Sequence, residues 1–296
     1  MCNEQLFFSD DAWLSRSGGK RLNYVGNPLK DDLSRDAVRK FVREKGVLIA
    51  MWSYDCDCDE KGPWYNYVCD TVGYNIDKIK SKNGRYYVRR SLKSCAIRPI
   101  DYAWLADNGY ETYVNANSRY KDVEVESKDE FRVRMLSSSG VPAHEALGVF
   151  IDQKLVAYAL VVICGQSVQL RMSHFDPAYS NSFPMYALYY TIAYYYLNER
   201  GYKEVDNGSR PLLHETNIGD FLLRLGWRKK YCRMGLYLVW PVRAILRVAR
   251  VLRKACKLLL PSRHYARLES LLLAQDIAKA TRKHDNSHRV CMSILF

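Results

Sequence analysis

Three β-rich runs, ALGVFID, LVAYALVVIC and SVQLRMSHF, follow one another from Ala146 to Phe175 with only the dipeptides QK and GQ between them. Breaks this short leave no room for a crossover, so each strand must turn back antiparallel beside its predecessor. The centre of the chain is therefore a β-meander, and whatever else folds must pack against that sheet.

The next segment sets the topology. After the loop DPAYSNSF, Pro184 opens the run PMYALYYTIAYYYLNERGY and Gly201 follows its end, which is the punctuation of a helix start and stop. Residues 185–197 have almost no polar face, so this helix should be buried on most sides. KEVDNG then reads as a strand reached through a helical crossover, hence parallel to a neighbour. Ile218, Phe221, Leu222 and Leu225 fall at helical spacing, with Thr216 as N-cap and Gly226 as stop. YCRMGLYLVW reads as the strand that closes the sheet. The fold class is α+β: one mixed sheet of antiparallel meander, helical crossover and parallel strand.

Upstream, SRDAVRKFVREKG predicts a short helix closed by Gly46, VLIAMWSY a buried strand, and DCDCDEKGPW a loop. GRYYVRRSLKSC reads as a helix, AIRPI as a short strand, and DYAWLADNGYETYVNANSRY as mostly helix. A further helix over 128–137 precedes the linker SSSGVP. The domain boundaries expected from these shifts are an N-terminal extension over 1–45, one domain over 46–240, and a helical tail over 241–296.

Nine cysteines without regular spacing argue for a reducing, cytoplasmic setting. Cys56, Cys58 and Cys69 form no CxxC pair and have no neighbouring histidine, so no metal is expected. The net charge of +13 is uneven: residues 242–296 hold twelve Lys and Arg against three Asp and Glu, which leaves +4 for the remainder. The basic character thus belongs to the tail, and no DNA-binding face is implied for the whole chain. No apolar run approaches the ~18 residues a spanning helix needs.

The order of elements resembles the GNAT-like acyltransferase superfamily, and more closely its divergent branch of Fem-type aminoacyl transferases and related proteins of envelope and polysaccharide pathways. The resemblance covers about residues 85–240 and is best over 146–240. It is carried by the meander, by PMYALYYTIAYYYLNERGYKEVDNGS, by the basic stretch YVRRSLKSCAIR, and by FLLRLGW, which is similar to the Phe-Lys-x-x-Phe-Gly segment ending such domains. One motif departs. Ordinary GNAT enzymes place a Gln/Arg-x-x-Gly-x-Gly/Ala turn after the third meander strand, where backbone amides hold the coenzyme A pyrophosphate. Here that stretch is HFDPAYSNSFPMYAL, without glycine, as in Fem-like relatives.

The resemblance implies that the third meander strand and the crossover strand splay apart, with the acyl donor lying in the gap. Their ends are 173–176 and 206–210. Transfer to an amine needs a neutral nucleophile, a polarised carbonyl and a route for the proton. Asp206, His174 and Ser209 are the candidate catalytic residues; Arg210, Asn207, Gly208, Ser182 and Tyr186 are candidates for holding the donor. Plainer roles compete. Asp206-Asn207-Gly208 is also common turn chemistry, Glu215 and Thr216 suit a helix start, and the tyrosines of 186–196 suit core packing. The implied function is N-acyl transfer from acyl-CoA or acetyl-CoA to an amine-bearing small molecule, glycan intermediate or peptide. The alternatives are an aminoacyl-tRNA donor or a non-catalytic adaptor of the same fold.

In PVRAILRVARVLRKACKLLLPS the charges Arg243, Arg247, Arg250, Lys254 and Lys257 recur in steps of four and three, one stripe of a helix. Apolar residues fill most of the rest. Such a helix fits an anionic membrane surface, or else packs on its own domain. ARLESLLLAQDIAKA predicts a partner helix across Pro261, and RKHDNSHRVCMSILF a loose end.

Overall fold

The computed structural model describes residues 13–16, 21–24, 35–44, 46–59, 61–119, 125–212 and 217–293. Strands β1 (Trp13–Arg16) and β2 (Arg21–Tyr24), helix α1 (Arg35–Glu44) and strand β3 (Ile49–Tyr54) come first, followed by β4 (Tyr65–Cys69) and α2 (Lys82–Ser94). Next are β5 (Ala96–Ile100) and the helices α3 (Tyr102–Asn108), α4 (Tyr110–Asn117) and α5 (Lys128–Leu136). The meander is β6 (His144–Ile151), β7 (Lys154–Cys164) and β8 (Ser167–Phe175), and it leads into α6 (Pro184–Tyr194) and β9 (Glu204–Ser209). The chain ends with α7 (Ile218–Arg224), β10 (Arg228–Tyr231), β11 (Arg233–Leu238), α8 (Trp240–Val251), α9 (Arg253–Leu259) and α10 (Ser262–Ser293).

By compactness the chain divides into two units, one of residues 1–66, 209–216 and 230–296, the other of 67–208 and 217–229. The second unit carries the meander, in a seven-stranded sheet of order β10-β4-β9-β8-β7-β6-β5. β5 to β8 are antiparallel in succession, and β9 is parallel to β8. This is the mixed sheet that the meander and crossover predict. The β6–β7 turn is centred on Asp152 and Gln153, both at positive φ, one residue earlier than the expected QK. That geometry matches the twist of the flanking strands.

Helices cover both faces of this sheet. On one, Leu105, Phe131 and Met135 of α3 and α5 bury against Tyr158 and Phe150. α5 starts on a capping box in which Ser127 and Glu130 satisfy each other's backbone N–H groups. On the other face lies α6, whose Ala187, Leu188, Tyr189, Ile192 and Ala193 are buried. Its last residues unwind into a π turn, Tyr195–Glu199, before Gly201 at φ +71°. The stretch DPAYSNSF, expected as a loop, winds into a 3-10 helix, Pro177–Ser182, capped by Asp176.

Two strands differ from expectation. The expected elements leave Tyr65–Cys69 unassigned, and it forms β4, interposed between β9 and β10. The strand expected to close the meander sheet divides at Cys232. Its second half, β11, pairs antiparallel with β3 in a separate four-stranded sheet of order β1-β2-β3-β11 in the first unit. Gly235 of β11 lies opposite Trp52, and a Cβ there would meet the indole at 2.0 Å. Only glycine fits.

The first unit buries its own core: Met234, Leu236 and Leu238 of β11 pack with Leu246 of α8 and with Leu272 and Ile277 of α10. The tail is a helical arrangement, as its pattern predicts, and the expected loose end is helical through Ser293.

Candidate active site

The strands β8 and β9 pair only through Ser167–Glu204, Val168–Val205 and Gln169–Asp206. β8 continues to Phe175 and β9 to Ser209, with no further register between them among the described residues. Just beyond the last pair, the β7–β8 register slips: Leu170 faces Val161 and Met172 faces Leu160, which leaves Arg171 as the extra residue of a bulge. A bulge bends its strand and re-aims side chains. Here it stands where the two parallel strands part.

Ser173 and His174 are adjacent on β8, so they project to opposite faces of the sheet. On the α6 face, the Tyr189 hydroxyl donates to Asn207 Oδ1 at 3.0 Å and lies 3.0 Å from Ser173 Oγ. A phenol has one proton, and with that proton on Asn207 the serine must donate to the tyrosine. The chain Ser173–Tyr189–Asn207 therefore spans the gap with one polarity. Burial pushes the Tyr189 phenol up to about 12, against the smaller pull of the Ser173 bond, so it stays protonated. Phe221 and Trp227 hold its ring, at 5.3 and 5.9 Å between centroids.

On the opposite face, His174 pairs across the ladder with Tyr158 and sits 5.3 Å from both the Tyr113 and the Tyr158 rings. Burial, helped by the charge of Arg134, pulls its pKa down to about 4, so the imidazole is neutral at pH 7. Its Nε2 is buried and has no hydrogen-bond partner among the described residues, and the same holds for the Tyr158 hydroxyl. Buried polar atoms are rarely left unpaired, and here two stand in one layer beside the parting strands. Arg134 is itself committed, bound through Nε and Nη2 to Glu126 at 2.8–3.0 Å.

Asp206 is 2% exposed. Its Oδ1 accepts the Gly208 N–H at 2.6 Å, and Gly208 takes φ +82°, so the Asp-Asn-Gly turn forms. The carboxylate also lies within electrostatic reach of Arg171, whose buried guanidinium bonds Cys164. Burial pulls the Arg171 pKa down, while Cys164 and Asp206 pull it back up. Asp206 thus serves both the turn and a buried cation. Arg171 carried no signal in the sequence beyond being a charge inside an apolar strand.

The remaining candidates have other partners. Ser209 and Arg210 belong to the first unit, where Ser209 Oγ donates to Asn66 Oδ1 at 2.8 Å. Arg210 Nη1 donates to the Pro63 carbonyl at 3.3 Å, with the guanidinium 5.9 Å from the Tyr65 ring. His214, Glu215 and Thr216 lie outside the described residues. Ser182 ends the 3-10 helix, and its carbonyl faces Cys95 Sγ at 3.8 Å. Tyr186 packs 5.0 Å from Tyr87 and 4.8 Å from Phe221.

That aromatic packing changes what the N-terminus of α6 can hold. Phe183, its N-cap, sits in the left-handed region at φ 55° with no capping side-chain bond, and Pro184 contributes no N–H. The Tyr87 ring lies 4.5 Å from Phe183, and the Arg90 guanidinium 5.2 Å from it. Where ordinary GNAT enzymes expose glycine amides to a pyrophosphate, this chain places aromatic rings and one proline.

No family model and no curated protein sequence matches the chain. Among solved structures, FemX superposes with a TM-score of 0.55 at 11% identity, over 79% of this chain and 83% of its own. The C-terminal domain of a putative lysylphosphatidylglycerol synthetase from Agrobacterium fabrum gives 0.51 at 13% identity, over 81% and 85%. The fold is GNAT-like, of the Fem type. With the Fem-type fold established, the parting of β8 from β9 is the feature the sequence resemblance anticipated, and Tyr189 is the residue it did not. The tyrosines of α6 suit core packing, and Tyr189 is packed, but its hydroxyl also joins the two strands.

Proposed function

We propose that the chain is an acyltransferase that moves an acyl group from an ester or thioester donor to an amine. The observation that supports this most is the end of β8–β9 pairing at Gln169–Asp206 in a Fem-type fold. A gap between two parallel strands offers an extended donor backbone groups on both sides and a floor of fixed dipoles. The amine attacks the carbonyl carbon, a C–N bond forms, and the C–O or C–S bond of the donor breaks. The amine proton passes to neutral His174, directly or through water, and returns to the leaving group. On the other face, the Ser173–Tyr189–Asn207 chain fixes the two strand ends that border the gap. The attack is direct, without a covalent enzyme intermediate.

For the donor, the aromatic N-terminus of α6 favours an aminoacyl ester carried on tRNA over coenzyme A, because no glycine-amide cradle for a pyrophosphate is built there. The acceptor is an amine-bearing small molecule, glycan intermediate or peptide. The deciding assay incubates the purified protein with radiolabelled aminoacyl-tRNA or labelled acetyl-CoA, each with a panel of amino sugars and short peptides. Label transferred from aminoacyl-tRNA supports the full reading, and label transferred from acetyl-CoA alone overturns the donor assignment. No transfer from either, with unchanged thermal stability in the presence of both, would point to the non-catalytic adaptor.

A further inference from the structure

α8 and α9 divide their residues between two surfaces. Leu246 and Ala249 are buried in the core of the first unit, and Val242 packs against it. The other side of the same helices is apolar and open: Trp240 is 72% exposed, Val251 84%, Leu258 86% and Leu259 81%, with Ile245 and Val248 between them. Exposed side chains of this size, recurring along two successive helices, are unusual on a soluble surface.

The charges beside this strip fall into two groups. Arg250 pairs with Asp276 at 2.8 Å and Arg253 pairs with Glu269, so these two pin α8 and α9 to α10. Arg243, Arg247, Lys254 and Lys257 are exposed and form no salt bridge among the described residues. Arg243, Arg247 and Arg250 recur at i, i+4 and i+7, while Ile245, Val248 and Leu252 recur at i, i+3 and i+7, so a basic row runs alongside the apolar one. Asp276 and Glu269 of α10 are taken by Arg250 and Arg253, and Lys257 lies in the field of Glu269 without a salt bridge to it.

The geometry points to α8 and α9 as a docking surface for an anionic lipid bilayer, with the exposed leucines, valines and Trp240 inserted among the acyl chains and the four unpaired cations at the headgroups. A helix lying in the interface buries its apolar side shallowly and keeps its basic flank at the phosphates. Trp240, at the start of α8, suits the headgroup level, where an indole has one apolar and one polar side. The rival occupant is a second copy of the chain. A two-fold contact through this strip would set the same four cations against themselves, which like-charge repulsion opposes. No helix among the described residues is long and apolar enough to cross a membrane, so the association would be peripheral.

The test uses the full chain and sedimentation with vesicles of phosphatidylcholine alone or of equal parts phosphatidylcholine and phosphatidylserine. Binding to the anionic vesicles, weakening as salt rises, with little binding to the neutral ones, is the expected result. Each unpaired cation near such a surface strengthens binding about fivefold, so Arg247→Glu with Lys254→Glu should weaken it more than about twenty-fivefold. Val251→Glu with Leu258→Glu should abolish it while leaving the melting temperature unchanged, since both side chains are exposed. Absence of vesicle binding by the wild type overturns the proposal, as does equal binding by the wild type and both double variants. Concentration-dependent dimerisation that the Val251→Glu, Leu258→Glu variant abolishes, without vesicle binding, would assign the strip to self-association instead.

Discussion

Tyr189 donates its hydroxyl proton to Asn207 Oδ1 at 3.0 Å, joining helix α6 to the first residue of β9 beyond its pairing with β8. Because Ser173 completes the chain from the other strand, one buried phenol fixes both edges of the gap. Tyr189→Phe keeps the ring packed on Phe221 and Trp227 but leaves Ser173 and Asn207 short of a partner. We expect a loss of about 1–3 kcal/mol in urea unfolding. A cycle with Asn207→Ala should return a coupling of about 0.5–3 kcal/mol. Additive losses would show that the bond carries no coupling.

His174 has a pH signature with a definite sign. Its folded pKa is near 4, below its ordinary 6.5, so unfolding takes up a proton between those values. The native state keeps this stability above pH 6.5 and loses it as pH falls towards 4, by up to about 3 kcal/mol. His144, also lowered by burial and by Arg171, contributes with the same sign. The difference between wild type and His174→Gln, measured by denaturation from pH 4 to pH 8, isolates His174. The variant should show the flatter profile, and parallel profiles would contradict the depressed value.

Gly235 tests the assignment of β11 to the sheet with β3. A methyl group there would meet the Trp52 indole at 2.0 Å, and neither backbone nor ring can give way cheaply. Gly235→Ala should destabilise by more than about 2 kcal/mol. Adding Trp52→Leu should recover part of that loss, whereas a strand placed in the meander sheet would show no such dependence on Trp52.

Most of the meander unit was legible because its information is local. Two-residue breaks dictate antiparallel neighbours, and the Pro184 and Gly201 punctuation delimits the crossover, so β6 to β9 follow from spacing alone. β4 went unassigned and β11 was misplaced for the opposite reason. Tyr65–Cys69 and Arg233–Leu238 each carry strand-forming residues, but their partners lie more than a hundred residues away and no periodicity names them. For the candidate site, the two strand ends 173–176 and 206–210 were legible as positions, and Ser209 and Arg210 of the second fall in the first unit. The division between faces was available from the period of two, since Ser173 and His174 are neighbours. The bulge at Arg171 and the tyrosine bridge depend on packing that no local pattern records.

The two surfaces of α8 predict opposite responses from residues two apart. Leu246→Ala removes a buried side chain from the core that also holds Leu272 and Ile277, and should cost about 2–4 kcal/mol in chemical denaturation. Val248→Ala removes an exposed one and should change stability by less than about 0.5 kcal/mol. Similar losses at both positions would mean that α8 is covered on both sides.

Asp206 separates the turn reading from the charge reading, because one substitution removes a single function. Asp206→Asn keeps an oxygen for the Gly208 N–H, now 2.6 Å from the carboxylate, and so preserves the turn. It also deletes the negative charge that offsets Arg171, whose guanidinium is buried in the same layer. A buried cation that loses its counter-charge destabilises by about 3–5 kcal/mol in the worst case, so Asp206→Asn should lose at least about 1–2 kcal/mol despite an intact turn. Pairing it with Arg171→Met removes both charges and should restore most of that loss, as buried ion pairs replaced by apolar groups of similar size often do. Urea denaturation of the two single variants and the double variant decides the matter. A neutral Asp206→Asn would reduce Asp206 to a turn residue, and a double variant no better than the single would deny its coupling to Arg171.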